Sequence, residues 1–298
     1  MPSPTHRLLA RVIPVLRRSG EVDDPAKVRR ELLERQARAD SSPPRRRLRG
    51  CVVTERSGLG FPVHEIRPEG RAPDRTVLYL HGCGFVGGLD RAHWRLVAGL
   101  VRDTGARVVL PSYPLTPLHT WRDSHAPLLD LFEQLAIESP GGAALAGDSA
   151  GGGLALALAQ QLARRPGPQP TRLVLISPWV DLTGTTPGTD QAAGHDPWLT
   201  LSKLKLYGRW WAGEDDPARP EVSPLNGAYD GLPRTLVLCG TRDLLAPQVR
   251  EAVRRAEAAG VPVTYREEPG LLHVYPLLPI REARAARAEI ARFLEAAE

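Results

Sequence analysis

The sequence predicts an α/β protein with a mostly parallel central sheet and helices on both faces. Short apolar runs at 75–80, 172–176 and 234–238 read as strands buried on both sides. Segments of helical period lie between and after them, at 92–102, 123–138, 154–165 and 247–259, and such β-α alternation favours parallel pairing. The chain has 298 residues, enough for one large domain with insertions, and its 42% hydrophobic content with scattered charge fits a soluble globular protein.

Residues 1 to about 40 have a helical pattern, with Leu8, Val12, Val15 and Leu16 on one side and then Val28, Leu32 and Leu33 in a charged helix. Asp23-Asp24-Pro25 reads as a helix start. A linker at 41–47 follows, so 1–47 is expected to form N-terminal cap helices and linker, and 48–298 the core. From Leu48 the period changes. The stretches 50–55 and 61–67 alternate like a half-buried strand pair, joined at Ser57-Gly58-Leu59-Gly60. The buried strand at 75–80 ends in His81-Gly82-Cys83-Gly84-Phe85, and 107–110 and 143–146 are further strands. A last strand is expected at 263–267 and a closing amphipathic helix at 281–296. Between about 183 and 225 the alternation breaks. That stretch is too long for a simple connection and too apolar for disorder, so it reads as a helical insertion that, with the leader, caps the carboxyl edge of the sheet.

The net charge is +5 and the isoelectric point about 9.4, yet only Arg45-Arg46-Arg47 forms a basic cluster, and it reads as a solvated linker. A nucleic-acid partner is therefore not expected. Three widely spaced cysteines, Cys51, Cys83 and Cys239, give neither a disulfide framework nor zinc-ligand spacing. The apolar run at 8–16 is interrupted by Arg11 and Pro14 and lacks a small-residue cleavage site before Arg17-Arg18, so a signal peptide is not expected. No stretch approaches membrane-spanning length. These features predict a cytoplasmic protein with no membrane partner, no metal and no cofactor.

The chemistry centres on Gly147-Asp148-Ser149-Ala150-Gly151. An apolar run precedes it and an Ala/Leu-rich helix follows, the strand–turn–helix context in which a G-x-S-x-G turn presents a serine nucleophile. The turn strains the serine backbone, so the flanking glycines must let neighbouring chains pass. A serine hydroxyl needs a base, itself oriented by a carboxylate. Only His195 and His273 follow Ser149. His195 lies in the insertion with no strand before it, whereas His273 follows the last strand and Pro269-Gly270, so His273 is the expected base. Asp243, just past the strand at 234–238, is favoured as the acid over Asp181, which follows the preceding strand. Asp148, beside the nucleophile, reads as structural. Developing negative charge on a substrate oxygen needs fixed N–H donors. One is expected from Ala150 and the others from the loop at 81–84.

On these residues the chain resembles the hormone-sensitive-lipase-like carboxylesterases of the α/β-hydrolase superfamily. The matching motifs are His81-Gly82-Cys83-Gly84-Phe85, Gly147-Asp148-Ser149-Ala150-Gly151, Gly240-Thr241-Arg242-Asp243 and Leu272-His273-Val274-Tyr275, and the resemblance runs from about Cys51 onward. It implies an α/β-hydrolase fold with Ser149 as nucleophile, His273 as general base and then acid, and Asp243 as its orienter. It places the oxyanion donors on the backbone of Cys83, Gly84 and Ala150, and gives His81 the role of bracing the loop. Two departures stand out. Cys83 occupies the middle of a loop that usually reads H-G-G-G, where a Cβ is costly at positive φ and the thiol is expected near the acyl group. Ser112-Tyr113-Pro114-Leu115-Thr116-Pro117-Leu118 lacks the usual Arg and Glu of that segment.

The resulting expectation is a cofactor-independent serine carboxylesterase acting on small to medium acyl esters or lactones. Phe85, Trp179, Trp198 and Trp211 are the expected substrate-binding residues, with Trp210 beside them, although simple cap packing explains aromatic residues there equally well. Amide deacetylation, or acyl transfer or cyclisation in a biosynthetic pathway, would use the same residues, and a non-catalytic binder would use the same pocket. A small-molecule ester is the expected partner, and a homodimer is implied by the resemblance alone.

Overall fold

The computed structural model describes residues 2–16, 20–44 and 48–296. The Arg45-Arg46-Arg47 cluster and Arg17-Arg18 lie outside the described residues. Eight strands form one sheet: β1 (Cys51–Arg56), β2 (Val63–Pro68), β3 (Thr76–Leu80), β4 (Arg107–Pro111), β5 (Ala143–Asp148), β6 (Leu173–Ile176), β7 (Thr235–Arg242) and β8 (Val263–Leu272). Their spatial order is β1-β2-β4-β3-β5-β6-β7-β8. The β1–β2 hairpin and the β2–β4 pair are antiparallel, and every other pair is parallel. From β3 the chain steps outward to β4, then returns past β3 to β5. That reversal opens a crevice beyond the carboxyl ends of β3 and β5, where ligands of open α/β sheets bind.

Side chains alternate across the strands and feed two cores. Leu78 and Leu80 of β3 join Val109 and the inward faces of α4 (Arg122–Glu138), α5 (Ser149–Leu162) and α8 (Ala246–Ala258). Val77 and Tyr79 join Val108, Leu110 and the inward faces of α3 (Arg91–Thr104) and α9 (Glu282–Glu295). The start of α3 is fixed by Asp90, whose carboxylate accepts the N–H groups of Ala92 and His93. Gly105 ends it at φ 68.

The leader forms α1 (Pro4–Leu16) and α2 (Pro25–Ala37), with Asp24 capping α2. The inward stripe of α1 differs from the expected one. His6, Ala10 and Ile13 are buried, while Leu8, Val12, Val15 and Leu16 are exposed. Both sets recur at helical spacing, and the buried one is chosen by a polar contact that hydrophobic periodicity overlooks: the Leu272 N–H donates to His6 Nε2 at 3.2 Å. The strands β7 and β8 also run further than expected, to Arg242 and Leu272. β8 is the sheet edge, so Pro269 removes no ladder donor that a neighbour needs, and a register shift between Gly240 and Arg242 lets pairing resume at Arg242–Leu272. In the stretch between β6 and β7 the chain forms α6 (Thr189–Ala193) and α7 (Leu201–Ala212). No helix among the described residues is long and apolar enough to cross a membrane.

Candidate active site

The turn from β5 into α5 carries Ser149 at φ 52. Backbone crowds it so closely that only glycine fits on either side: a Cβ on Gly147 would lie 2.3 Å from the Gly151 carbonyl oxygen, and one on Gly151 would lie 2.1 Å from that of Leu80. The Trp179 N–H donates to the Ser149 carbonyl at 2.8 Å, tying the loop after β6 to the same turn.

The structure brings Ser149, His273 and Asp243 together. His273 Nε2 lies 2.9 Å from Ser149 Oγ, and His273 Nδ1 lies 2.9 Å from Asp243 Oδ2. All three are buried. The other Asp243 oxygen accepts the Leu245 N–H at 2.9 Å. Val274, after the histidine, is left-handed at φ 46, and its N–H donates to Ser177 Oγ at 3.0 Å. Burial alone would lower the His273 pKa, but the carboxylates of Asp243, Asp196 and Asp148 outweigh it, and the pKa stands above the ordinary value of 6.5. A histidine poised in this way can accept a proton from a serine hydroxyl and hold the resulting charge against a carboxylate.

The rival residues lie elsewhere. Asp181 accepts N–H groups from Thr183, Thr185 and Thr186, which is turn capping. His195 is exposed and contacts the Gln191 carbonyl at 2.7 Å. Asp148 is bound under the loop after β3: it accepts from Tyr79 Oη at 2.8 Å and from the Gly82 N–H at 3.1 Å, with His93 Nε2 at 3.4 Å.

After β3, three successive residues are left-handed: Cys83, Gly84 and Phe85 at φ 73, 65 and 60. The turn is held by the Tyr113 hydroxyl donating to the His81 carbonyl at 2.6 Å, and by Gln36 Nε2 donating to the carbonyls of Val86 at 2.9 Å and Thr116 at 2.8 Å. The His81 ring stacks on Tyr113, and burial, then the nearby His93, lowers its pKa to about 4. The Cys83 thiol sits beside Asp90 and His93, all three side chains offering ligand atoms within 4.8 Å of one another. Ala150, the third expected donor, is buried in the first turn of α5.

Of the expected substrate-binding residues, Phe85, Trp179 and Trp211 are fully buried, with Phe85 and Trp211 stacked at 4.0 Å between ring centres. Trp198 is half-buried and meets the His273 ring edge-on at 5.5 Å. Two residues that sequence reasoning missed come from the 183–225 stretch. Asp196 accepts the Trp198 N–H at 2.7 Å and the Leu244 N–H at 2.8 Å, clipping that stretch to the Asp243 turn. Its pKa is raised to about 6 by burial and by the charge of Asp243. Tyr207 lies over Gly84, where an added Cβ would come within 3.3 Å of its ring. The Asp-Pro pair at 196–197 carried a turn signal, but nothing local marked Tyr207.

The alpha/beta hydrolase fold family matches residues 77–277. An esterase of Acinetobacter venetianus is 31% identical over 239 residues, covering 78% of each chain. An acetyl-hydrolase of Streptomyces hygroscopicus is 33% identical over 238 residues, covering 78% of this chain and 79% of its own. The crystal structure of an esterase from the bacterial hormone-sensitive lipase family superposes with a TM-score of 0.83 at 28% identity, covering 99% of this chain and 98% of that one.

Proposed function

The chain belongs to the α/β-hydrolase fold family, among its hormone-sensitive-lipase-like carboxylesterases, and from that premise we propose that Ser149, His273 and Asp243 perform its chemistry. The protein is a carboxylic ester hydrolase. The observation that carries the residue assignment is the pair of 2.9 Å contacts linking Ser149 Oγ, His273 and Asp243 in series. Ser149 Oγ attacks the ester carbonyl as His273 Nε2 takes its proton. The N–H groups of Cys83, Gly84 and Ala150 receive the oxyanion. His273 then returns the proton to the leaving alcohol, and water, deprotonated by the same nitrogen, releases the acyl group and frees Ser149.

The acyl group in this reading is small, down to acetyl. The acetyl-hydrolase relative supports this, as do the three aromatic residues packed into the core with no free face for a long chain. Trp198, beside His273, is the contact assigned to substrate, and Phe85, Trp179 and Trp211 form the wall behind the oxyanion loop. The leader helices and the insertion at about 183–225 act as the cap, a role supported by the Val22 N–H donating to Ser202 Oγ at 3.0 Å. A cytoplasmic location, a homodimer, and no nucleic-acid or membrane partner complete the proposal.

The test is hydrolysis of p-nitrophenyl acetate, butyrate and octanoate, and of p-nitroacetanilide, by wild type and Ser149→Ala. Acetate turned over fastest by wild type and by no Ser149→Ala protein is the expected result. Octanoate preferred over acetate would overturn the small-acyl reading, anilide preferred over ester would favour amide deacetylation, and an active Ser149→Ala protein would remove Ser149 from the chemistry.

A further inference from the structure

We propose that Cys83, Asp90 and His93 form a binding site for a thiophilic divalent cation of the zinc class, within the loop that carries the oxyanion donors. A thiol sulfur, a carboxylate oxygen and an imidazole nitrogen already lie within 4.8 Å of one another. Zinc bonds of about 2.0–2.3 Å place such atoms roughly 3.3–3.6 Å apart, so the set needs to close by about an ångström. One edge is already there: His93 Nδ1 lies 3.0 Å from Asp90 Oδ1.

Three further observations support this site. The other ring nitrogen of His93, Nε2, lies 3.4 Å from Asp148 Oδ1, the outer carboxylate partner that metal-bound histidines ordinarily have. Asp148 is itself held by Tyr79 and the Gly82 N–H, so His93 is presented on a fixed support. Cys83 stands at φ 73, where glycine fits better and a side chain costs roughly 1–2 kcal/mol, so the thiol is kept against a backbone preference. Cys83 and Asp90 are half-buried, giving an ion a way in, while His93 is buried beneath them. The mixed sulfur, nitrogen and oxygen donors select zinc-class ions over magnesium or calcium, which take oxygen ligands. Coordination forms the sulfur, nitrogen and oxygen bonds to the metal. It releases the thiol proton, and any proton on Nδ1, to solvent, and it takes the Nδ1 lone pair that otherwise accepts the Asp90 N–H.

Cobalt(II) is the probe, titrated into the metal-stripped full chain at mildly alkaline pH and read by absorbance and equilibrium dialysis. The expected result is one cobalt per chain with a sulfur-to-cobalt charge-transfer band. That band is absent in Cys83→Gly, which suits the left-handed backbone, and affinity falls at least about tenfold in Asp90→Asn, which keeps the helix cap. No band in wild type, or a band that survives Cys83→Gly and so belongs to Cys51 or Cys239, overturns the site; unchanged affinity in Asp90→Asn overturns the three-residue assignment. None of these readouts uses turnover, so they stand apart from the fate of the Ser149 reading. A second arm rests on that reading: bound cobalt lowers kcat more than it changes KM, because Cys83 also supplies an oxyanion donor. A kcat unmoved by bound cobalt would overturn that coupling.

Discussion

At the turn after β5, Ser149 is held at φ 52 by backbone on both sides; at the turn after β3, Cys83, Gly84 and Phe85 are held at φ 73, 65 and 60 largely by side chains. The first turn is closed. Gly147 and Gly151 touch the carbonyls of Gly151 and Leu80 so nearly that any side chain collides. The second turn admits a cysteine and a phenylalanine because Phe85 stacks on Trp211 and the loop hangs from Asp148, Tyr113 and Gln36. Similar backbone strain is thus fixed in one place by backbone packed on backbone, and in the other largely by side-chain partners, with Gly82 pressed against Asp148 where that turn begins. On the proposed assignment, the first turn places the nucleophile and the second flanks it.

The largest effect should come at the closed turn. Ser149→Ala is expected to lower kcat/KM by about 10⁴-fold or more with the fold intact, measured on p-nitrophenyl acetate. Gly151→Ala sharpens the contrast on the stability side. Its Cβ meets the Leu80 carbonyl, so a loss of about 3 kcal/mol or more is expected from urea unfolding, or no soluble protein at all. A Gly151→Ala protein as stable as wild type would break the comparison.

Next in size is a pH effect. On the proposed assignment His273 must be neutral to accept the Ser149 proton, and with its pKa raised, activity is expected to fall as pH drops through a value above 6.5. Removing the nearby charge in Asp196→Asn should move that acid limb to lower pH by roughly one unit or less, read from kcat/KM against pH. An unmoved limb would show that Asp196 acts only as a clip. Smallest is Cys83→Gly. Relief of left-handed strain is worth about 1–2 kcal/mol, and the added freedom of the unfolded chain offsets about 0.5–1 kcal/mol, so its unfolding midpoint should stay near that of wild type or rise slightly. A loss well beyond about 1 kcal/mol would mean that the Cys83 side chain, beside Asp90 and His93, itself holds the turn after β3.

Motif order along the chain pointed to Ser149, Asp243 and His273, and the loops after β5, β7 and β8 bring those three side chains into one hydrogen-bonded series. Strand positions were legible because doubly buried strands are continuous apolar runs. What escaped depends on contacts distant in sequence. The inward face of α1 was decided by His6 meeting the Leu272 N–H, which no helical period encodes. The reach of β8 through Pro269 and Gly270 depends on its being an edge. The meeting of the Cys83 thiol with Asp90 and His93 joins the loop after β3 to the start of α3, a pairing that the loop motif alone does not encode. Tyr207 and Asp196 enter the site from a stretch whose composition announced helices and nothing more.

The leader's attachments have a consequence for how the site is made. His6 meets the Leu272 N–H across 266 positions of chain, and Val22 meets Ser202 across 180. On a ribosome adding about 5–20 residues per second, His6 emerges on the order of tens of seconds before its partner. Helix α1 therefore waits longest for its partner, and it docks on the residue just before His273. A nascent chain carries the turn after β5 long before it carries His273, and a chain cut short before β8 lacks the Leu272 N–H on which α1 docks.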